Sequence, residues 1–166
     1  DINKLNNYQI KNSVKNLYLH NYVPYKEIPE KLLKMDILLM PYVSSITVAG
    51  DVGDITNFTS PLKLFDYLSA GKIIICSDFK VLKEAIKEKK NAIFIKNYEN
   101  AFSWRNEINK LSNQPHKQLI MSKNNHRLSK KHSLSERAKK ILKDLNLDFY
   151  VFNNRMRRFH RVSYVQ

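Results

Sequence analysis

A chain of 166 residues has room for about one domain of the usual size, roughly 150 residues. Its 43% hydrophobic and 27% charged residues form a globular balance, which excludes wholesale disorder. The net charge of +14 is concentrated: residues 1–100 carry 14 basic and 11 acidic side chains, whereas residues 101–166 carry 15 and 4.

In chain order, Asn16–His20 alternates and is β-prone, which predicts a short strand. A loop at Tyr22-Val23-Pro24 follows, because Pro24 lacks a donor and restricts Val23. Ile28, Leu32, Leu33 and Met35 recur at helical spacing and predict a helix over Lys26–Met35. Asp36–Met40 is a continuous apolar run stopped by Pro41, the pattern of a strand buried on both faces of a parallel sheet. Tyr42–Phe58 has no period and reads as a long loop, a kind usually tied to function. Ser60-Pro61 then starts a helix, with Ser60 as cap and Pro61 at the first helical position. Its expected inner stripe is Leu62, Phe65 and Leu68/Ser69, and Gly71 is its expected stop.

Lys72–Ser77 predicts a second buried strand and Ala92–Ile95 a third. Between them Phe79–Ile86 reads as a helix with Val81, Ala85 and Ile86 inward. Three further helices are expected, at Ala101–Leu111, Pro115–Leu128 and Leu134–Leu145. The tail Asp148–Gln166 mixes aromatics with Arg155, Arg157, Arg158 and Arg161. Strands alternating with helices call for an α/β fold, an open parallel sheet with right-handed crossovers and helices on both faces. In such sheets ligands bind beyond the carboxyl ends of the strands. That rule points to the loops after His20 and Met40 and to the start of the Ser60 helix.

Residue types narrow the chemistry. The three glycines, Gly50, Gly53 and Gly71, make neither a P-loop nor a dinucleotide fingerprint. The single Cys76 leaves no disulfide framework and no thiolate zinc site, and it reads as an inert core thiol. His20, His116, His126, His132 and His160 lack metal spacing, and Asp51 and Asp54 sit beside glycines as turn residues do, so no metal is expected. No apolar run approaches the roughly 20 residues that span a bilayer, and no leader precedes Asp1. A cytoplasmic protein, soluble or peripheral on the inner face of a membrane, is the default expectation. The chain starts without an initiator methionine, as a processed or partial polypeptide would.

The Ser60 helix is the best candidate site. A helix start leaves backbone N–H groups unpaired and carries about half a positive elementary charge. Lys63 adds a full positive charge in the first turn, which a bound phosphate would favour; alternatively Lys63 pairs with Asp66 three residues on.

The run Ser60-Pro61-Leu62-Lys63-Leu64-Phe65-Asp66-Tyr67-Leu68-Ser69-Ala70-Gly71-Lys72-Ile73-Ile74-Ile75 resembles the signature Pro-x-Lys-Leu-Phe-Glu-Tyr-Met-Ala-x-Gly-Lys-Pro-Val-Ile. That signature marks the C-terminal, donor-binding domain of family-4-type (group 1) glycosyltransferases with the GT-B fold. Asn16-Leu-Tyr-Leu-His-Asn-Tyr-Val-Pro is similar to the family's Asn-Val-x-Phe-x-Gly-x-Val strand and loop, and Lys34-Met-Asp-Ile-Leu-Leu-Met-Pro-Tyr to its Ala-Asp-Ile-x-Leu-x-Pro strand. Lys83-Glu84-Ala85-Ile86 with Asn91-Ala92-Ile93-Phe94 resembles Glu-Ile-Ile-x-x-x-x-x-Gly-x-Leu-Val. Ser133-Leu134-Ser135-Glu136-Arg137-Ala138 resembles the closing Ser-Trp-x-x-Arg-Ala helix. The likeness covers roughly residues 10–145.

The resemblance implies a Rossmann-like half of a GT-B fold over residues 1–147, N-terminally incomplete, followed by a basic aromatic tail at 148–166. It implies a retaining transfer from a UDP- or GDP-sugar to a glycan or lipid-linked acceptor, with no metal and no other cofactor. Asp66 takes the position of the carboxylate that accepts hydrogen bonds from the ribose hydroxyls, one methylene shorter than the usual Glu. Ser60 and the amides of Leu62 and Lys63 would face the diphosphate. Val23 would offer its backbone to the base, with Tyr22 and Tyr25 packing nearby.

The slot of the family's first Glu falls near Phe58, which leaves Asn57 and Thr59 as the polar neighbours for the sugar ring. The Arg and Lys phosphate clamp, and the N-terminal domain that binds acceptor and would hold catalytic groups, are expected upstream of Asp1. The basic C-terminal region suits an anionic membrane surface, that absent domain or plain solvation. The competing reading is a non-catalytic basic α/β domain binding nucleic acid or a partner protein. Nucleic acid is disfavoured because the charge lies outside the sheet core and no known binding module is present.

Overall fold

The computed structural model describes residues 2–42 and 62–145. Its centre is a three-stranded parallel sheet in the order β1 (Ile37–Met40), β2 (Ile73–Ser77), β3 (Ala92–Ile95). Ile37 is in register with Ile73 and Met40 with Cys76, while Ile74 faces Ala92 and Ser77 faces Ile95. Around the sheet lie α1 (Ile2–Lys11), α2 (Ile28–Leu33), α3 (Leu62–Ser69), α4 (Lys80–Ala85), α5 (Ala101–Ser112), α6 (Pro115–Lys131) and α7 (Leu134–Asp144). A short 3-10 turn, Tyr25–Glu27, leads into α2.

Alternate strand residues supply two cores. On one face Met40, Ile74, Cys76 and Phe94 pack with Leu64 and Leu68 of α3 and Leu82 of α4. On the other, Ile73, Ile75, Ile93 and Ile95 pack with Leu111 of α5 and Met121 of α6. Helices therefore cover both faces, as the alternating pattern requires. Burying each large apolar side chain stabilises the fold by about 1.5–3 kcal/mol relative to exposure. That makes β2, buried at all five positions, the anchor of the domain.

Turn chemistry sets the crossing from α3 to β2. Gly71 has φ +62°, its N–H donates to the Leu68 carbonyl, and the Lys72 N–H reaches back to the Tyr67 carbonyl. This pair of bonds closes the helix in the left-handed conformation that glycine adopts without steric cost.

A buried amide pair ties α6 beneath the sheet. The Asn125 amide nitrogen donates to the carbonyls of Lys72 and Asn91, each at 2.8 Å, and its oxygen accepts from the Asn91 side chain at 3.0 Å. Three bonds satisfy a polar group that is wholly buried, and they join the starts of β2 and β3 to one helix.

Several local expectations are corrected. Asn16–His20 forms no strand: Leu17 and Leu19 are half-buried and Tyr18 is exposed, so the alternation survives, but among the described residues no neighbouring strand completes a ladder. Strand β1 is not covered on both faces, because Leu39 is 41% exposed on this edge strand. The inner stripe of α3 is Leu64 and Leu68, with Phe65 half-buried, and Leu62 points to solvent. At α4 the expected Val81, Ala85 and Ile86 do face the core, Val81 and Ala85 half-buried against it and Ile86 buried just beyond the helix, and Leu82, not expected, is fully buried beside them. Of the residues that predicted the helix over Lys26–Met35, Leu33 and Met35 are exposed, and the α-helix itself runs Ile28–Leu33. Helix α1 has no counterpart in the sequence reading, and it buries no residue. The long loop and the tail at 148–166 lie outside the described residues.

Candidate functional site

Two crevices flank α3, and between them they take most of the sequence-derived candidates. The first, about 160 Å³, lies between α2 and α3 and is lined by Tyr25, Ile28, Pro29, Leu32, Leu33, Asp66, Ser69 and Ala70. The Tyr25 hydroxyl donates to Asp66 Oδ1 at 3.4 Å, bringing together two candidates that are 41 residues apart. This bond is long for O–H···O, so it fixes the carboxylate's neighbour while leaving most of its acceptor capacity open. The Tyr25 ring is 71% exposed at the mouth.

The second crevice, about 310 Å³, sits at the carboxyl end of β1 and is lined by Leu39, Met40, Pro41, Tyr42, Leu62, Lys63 and Tyr67. It holds the start of α3, with Leu62 and Lys63 both exposed. Among the described residues Lys63 and Asp66 form no ion pair, and the Asp66 carboxylate accepts from the Tyr25 hydroxyl. Burial raises the Tyr42 and Tyr67 phenols above the usual tyrosine range, the nearby Asp66 charge adding to the shift at Tyr67. Both rings are therefore neutral walls at physiological pH.

The floor of this region is rigid. Ser77, at the end of β2, accepts from the Tyr42 N–H at 2.9 Å and donates to the Tyr42 carbonyl at 3.0 Å. That clamp locks the chain just beyond β1 to the central strand. Next to it Asp78 is paired with Lys83, whose ammonium lies 5.5 Å from the Phe94 ring centre. Cys76 is buried, and desolvation pushes its thiol up to about 12, so the thiolate needed for chemistry does not form near neutral pH.

Of the remaining candidates, Val23 is half-buried just before Pro24 and lines neither crevice. Tyr22 is 89% exposed. Thr59 and Ser60, with Asn57, lie outside the described residues. Sequence reasoning missed Ile28, Leu32 and Ala70 as site walls. The i, i+4 pair Ile28/Leu32 behind Pro29 was visible as a helix face, but its partner across the crevice was not. Among the described residues no three His, Cys, Asp or Glu side chains gather as a metal would require, and no helix is long and apolar enough to cross a membrane.

A parallel sheet with helices on both faces and crevices on either side of α3 is a Rossmann-like α/β fold. The chain belongs to the glycosyl transferases group 1, whose family model matches residues 3–128. Among solved structures it is similar to the crystal structure of Anabaena Alr3699/HepE in complex with UDP-glucose. The TM-score is 0.54 at 14% identity, over 77% of this chain and 31% of that one. At that identity the likeness speaks for the GT-B fold, and this chain spans under a third of its neighbour's length. No curated protein matches the chain.

Proposed function

We propose that this chain supplies the donor-binding half of a retaining glycosyltransferase. That enzyme moves a sugar from a UDP- or GDP-sugar to a hydroxyl of a glycan or lipid-linked acceptor. Family membership supports glycosyl transfer in general, and the neighbour in complex with UDP-glucose supports a nucleotide-sugar donor. The observation that carries the reading is the Asp66 carboxylate, in the second turn of α3, lightly held by Tyr25 at the mouth of an apolar crevice.

In this reading the ribose hydroxyls donate to Asp66, an acceptor-only group with lone pairs to spare. The diphosphate lies toward the start of α3, where the N–H groups of Leu62 and Lys63 and the Lys63 ammonium oppose its charge. As the glycosidic bond to the donor breaks, negative charge grows on the leaving diphosphate. Fixed donors aimed at that charge stabilise the transition state more than the ground state, with no metal needed. Acceptor and catalytic groups come from a second domain outside residues 1–147. The basic region after residue 100 favours an anionic membrane surface on the cytoplasmic side, where a lipid-linked acceptor would be met.

Calorimetric titration of the chain with UDP and GDP tests this. At least one should bind, and Asp66→Asn should weaken it by about ten- to hundredfold, the worth of hydrogen bonds to a charged group. The thermal midpoint should stay put, because the Tyr25 contact is long and exposed and the amide oxygen of Asn can still accept it. Unchanged affinity in Asp66→Asn would sink the assignment.

A further inference from the structure

We propose that α7 lies flat on an anionic lipid surface, with Leu134, Ile141 and Leu145 immersed among the headgroups. This rests on the membrane reading of the basic region and deepens it by naming the element that meets the lipid. Helix α7 packs on the domain through few residues: Leu142 is buried, and Ala138 one turn before it is half-buried. Its other apolar residues turn away. Leu134, Ile141 and Leu145 are 82%, 57% and 62% exposed. At 3.6 residues per turn, spacings of seven and eleven put all three within about 40° of arc, so they form one row along the helix. Exposed apolar residues scattered singly need no explanation, whereas a continuous row marks a surface with a partner.

The charges beside the row say which partner. Lys131 at the end of α6, and Arg137 and Lys140 of α7, border the same groove as Ile141. Among the described residues none of these three cations pairs with a carboxylate. Of the two acids on that groove, Glu136 is engaged by Lys139 at 2.6 Å, which leaves Asp144. Helix α6 contains no acidic residue, and residues 115–145 carry 9 basic side chains against 2 acidic. An apolar row flanked by cations is the pattern of a helix lying in an interface, its apolar side toward the acyl chains and its cations level with the phosphates. At 11 residues α7 is too short to cross a bilayer. A second copy of the chain would bring the same cations into the contact, which like-charge repulsion opposes. A row one side chain wide is also small beside the roughly 800 Å² a side of a stable protein interface.

Co-sedimentation of the 166-residue chain with vesicles tests this. Vesicles of equal parts phosphatidylcholine and phosphatidylglycerol should bind it, and pure phosphatidylcholine should not. Ile141→Ser together with Leu145→Ser should lower that binding by about tenfold and leave circular dichroism unchanged, since both positions are exposed. A polarity-sensitive dye attached at Ile141→Cys should shift to the blue on the mixed vesicles. Attached at Lys143→Cys, on the opposite side of the helix, it should not. The native Cys76 is buried, its thiol pushed up to about 12, and does not compete for the label. Binding to the mixed vesicles that ignores the serine pair, with no dye shift at position 141, overturns the placement on α7 and leaves the membrane reading standing. Binding to neither vesicle, or to both alike, overturns the membrane reading and the placement together. A lipid-free dimer in sedimentation equilibrium that the serine pair dissolves gives the row to a second copy and overturns the proposal. The nucleotide titrations are independent of all these outcomes.

Discussion

Strands β1 and β2 are paired along their length and read almost alike, Ile-Leu-Leu-Met against Ile-Ile-Ile-Cys-Ser, yet they occupy opposite situations. Strand β2 is buried at every position, with cores on both faces and a neighbour on each edge. In β1, Leu38 and Met40 are buried, but Leu39 is exposed and Ile37 half-buried. The difference separates scaffold from site. The central strand and the helices folded over it supply rigidity, and the crevices open around the edge strand and the two helices beside it. Positioning residues on a rigid frame at its open margin is what a binding site requires.

Substitutions can break this contrast, beginning at the centre. Ile74→Ala empties a fully buried position on β2 and should cost about 2–5 kcal/mol, read by urea denaturation. A cost below 1 kcal/mol would mean that the centre is no better packed than the edge. Asn125→Ala removes the amide that joins β2, β3 and α6 and strands the buried Asn91 side chain and carbonyl together with the Lys72 carbonyl. About 1–3 kcal/mol should be lost, visible in the same experiment.

Gly71→Ala should cost about 1–2 kcal/mol, the price of a left-handed φ for a residue with a Cβ. Strain rather than crowding sets that value, because the added Cβ would lie 3.5 Å from the His126 Cβ, an ordinary contact. At the margin, Leu39→Ser should change stability by no more than about 0.5 kcal/mol, as for exposed positions in general. A large loss there would show that the exposed face of β1 is buried in solution, and would sharpen the contrast into a question about what covers it.

How much of this was readable in the sequence follows from what each signal measures. The three strands and the helices from α2 to α7 were legible because the pattern of apolar residues reports on burial. The stop at Gly71 was legible because glycine adopts the left-handed φ of that turn more readily than any other residue. Asn16–His20 failed because β-propensity says a segment can be a strand, while a strand exists only where a neighbour offers a ladder. Leu62 and Leu39 were misplaced because an apolar residue carries no label for the face it will occupy. The Asn91–Asn125 bond was invisible, since two asparagines 34 residues apart give no local pattern.

The sequence by itself determined the class of fold, the family resemblance and the position of the acidic residue on the helix after β1. Those follow from short-range order: spacing, turn residues and a contiguous signature from Ser60 to Ile75. Only the tertiary structure decided that Tyr25 meets Asp66, that Ile28 and Leu32 form a wall opposite Ala70, and that one strand of two similar ones is exposed. Those facts depend on which elements become neighbours. Neighbourhood arises from the packing of the whole chain, through weak, non-directional burial that no single stretch of residues specifies.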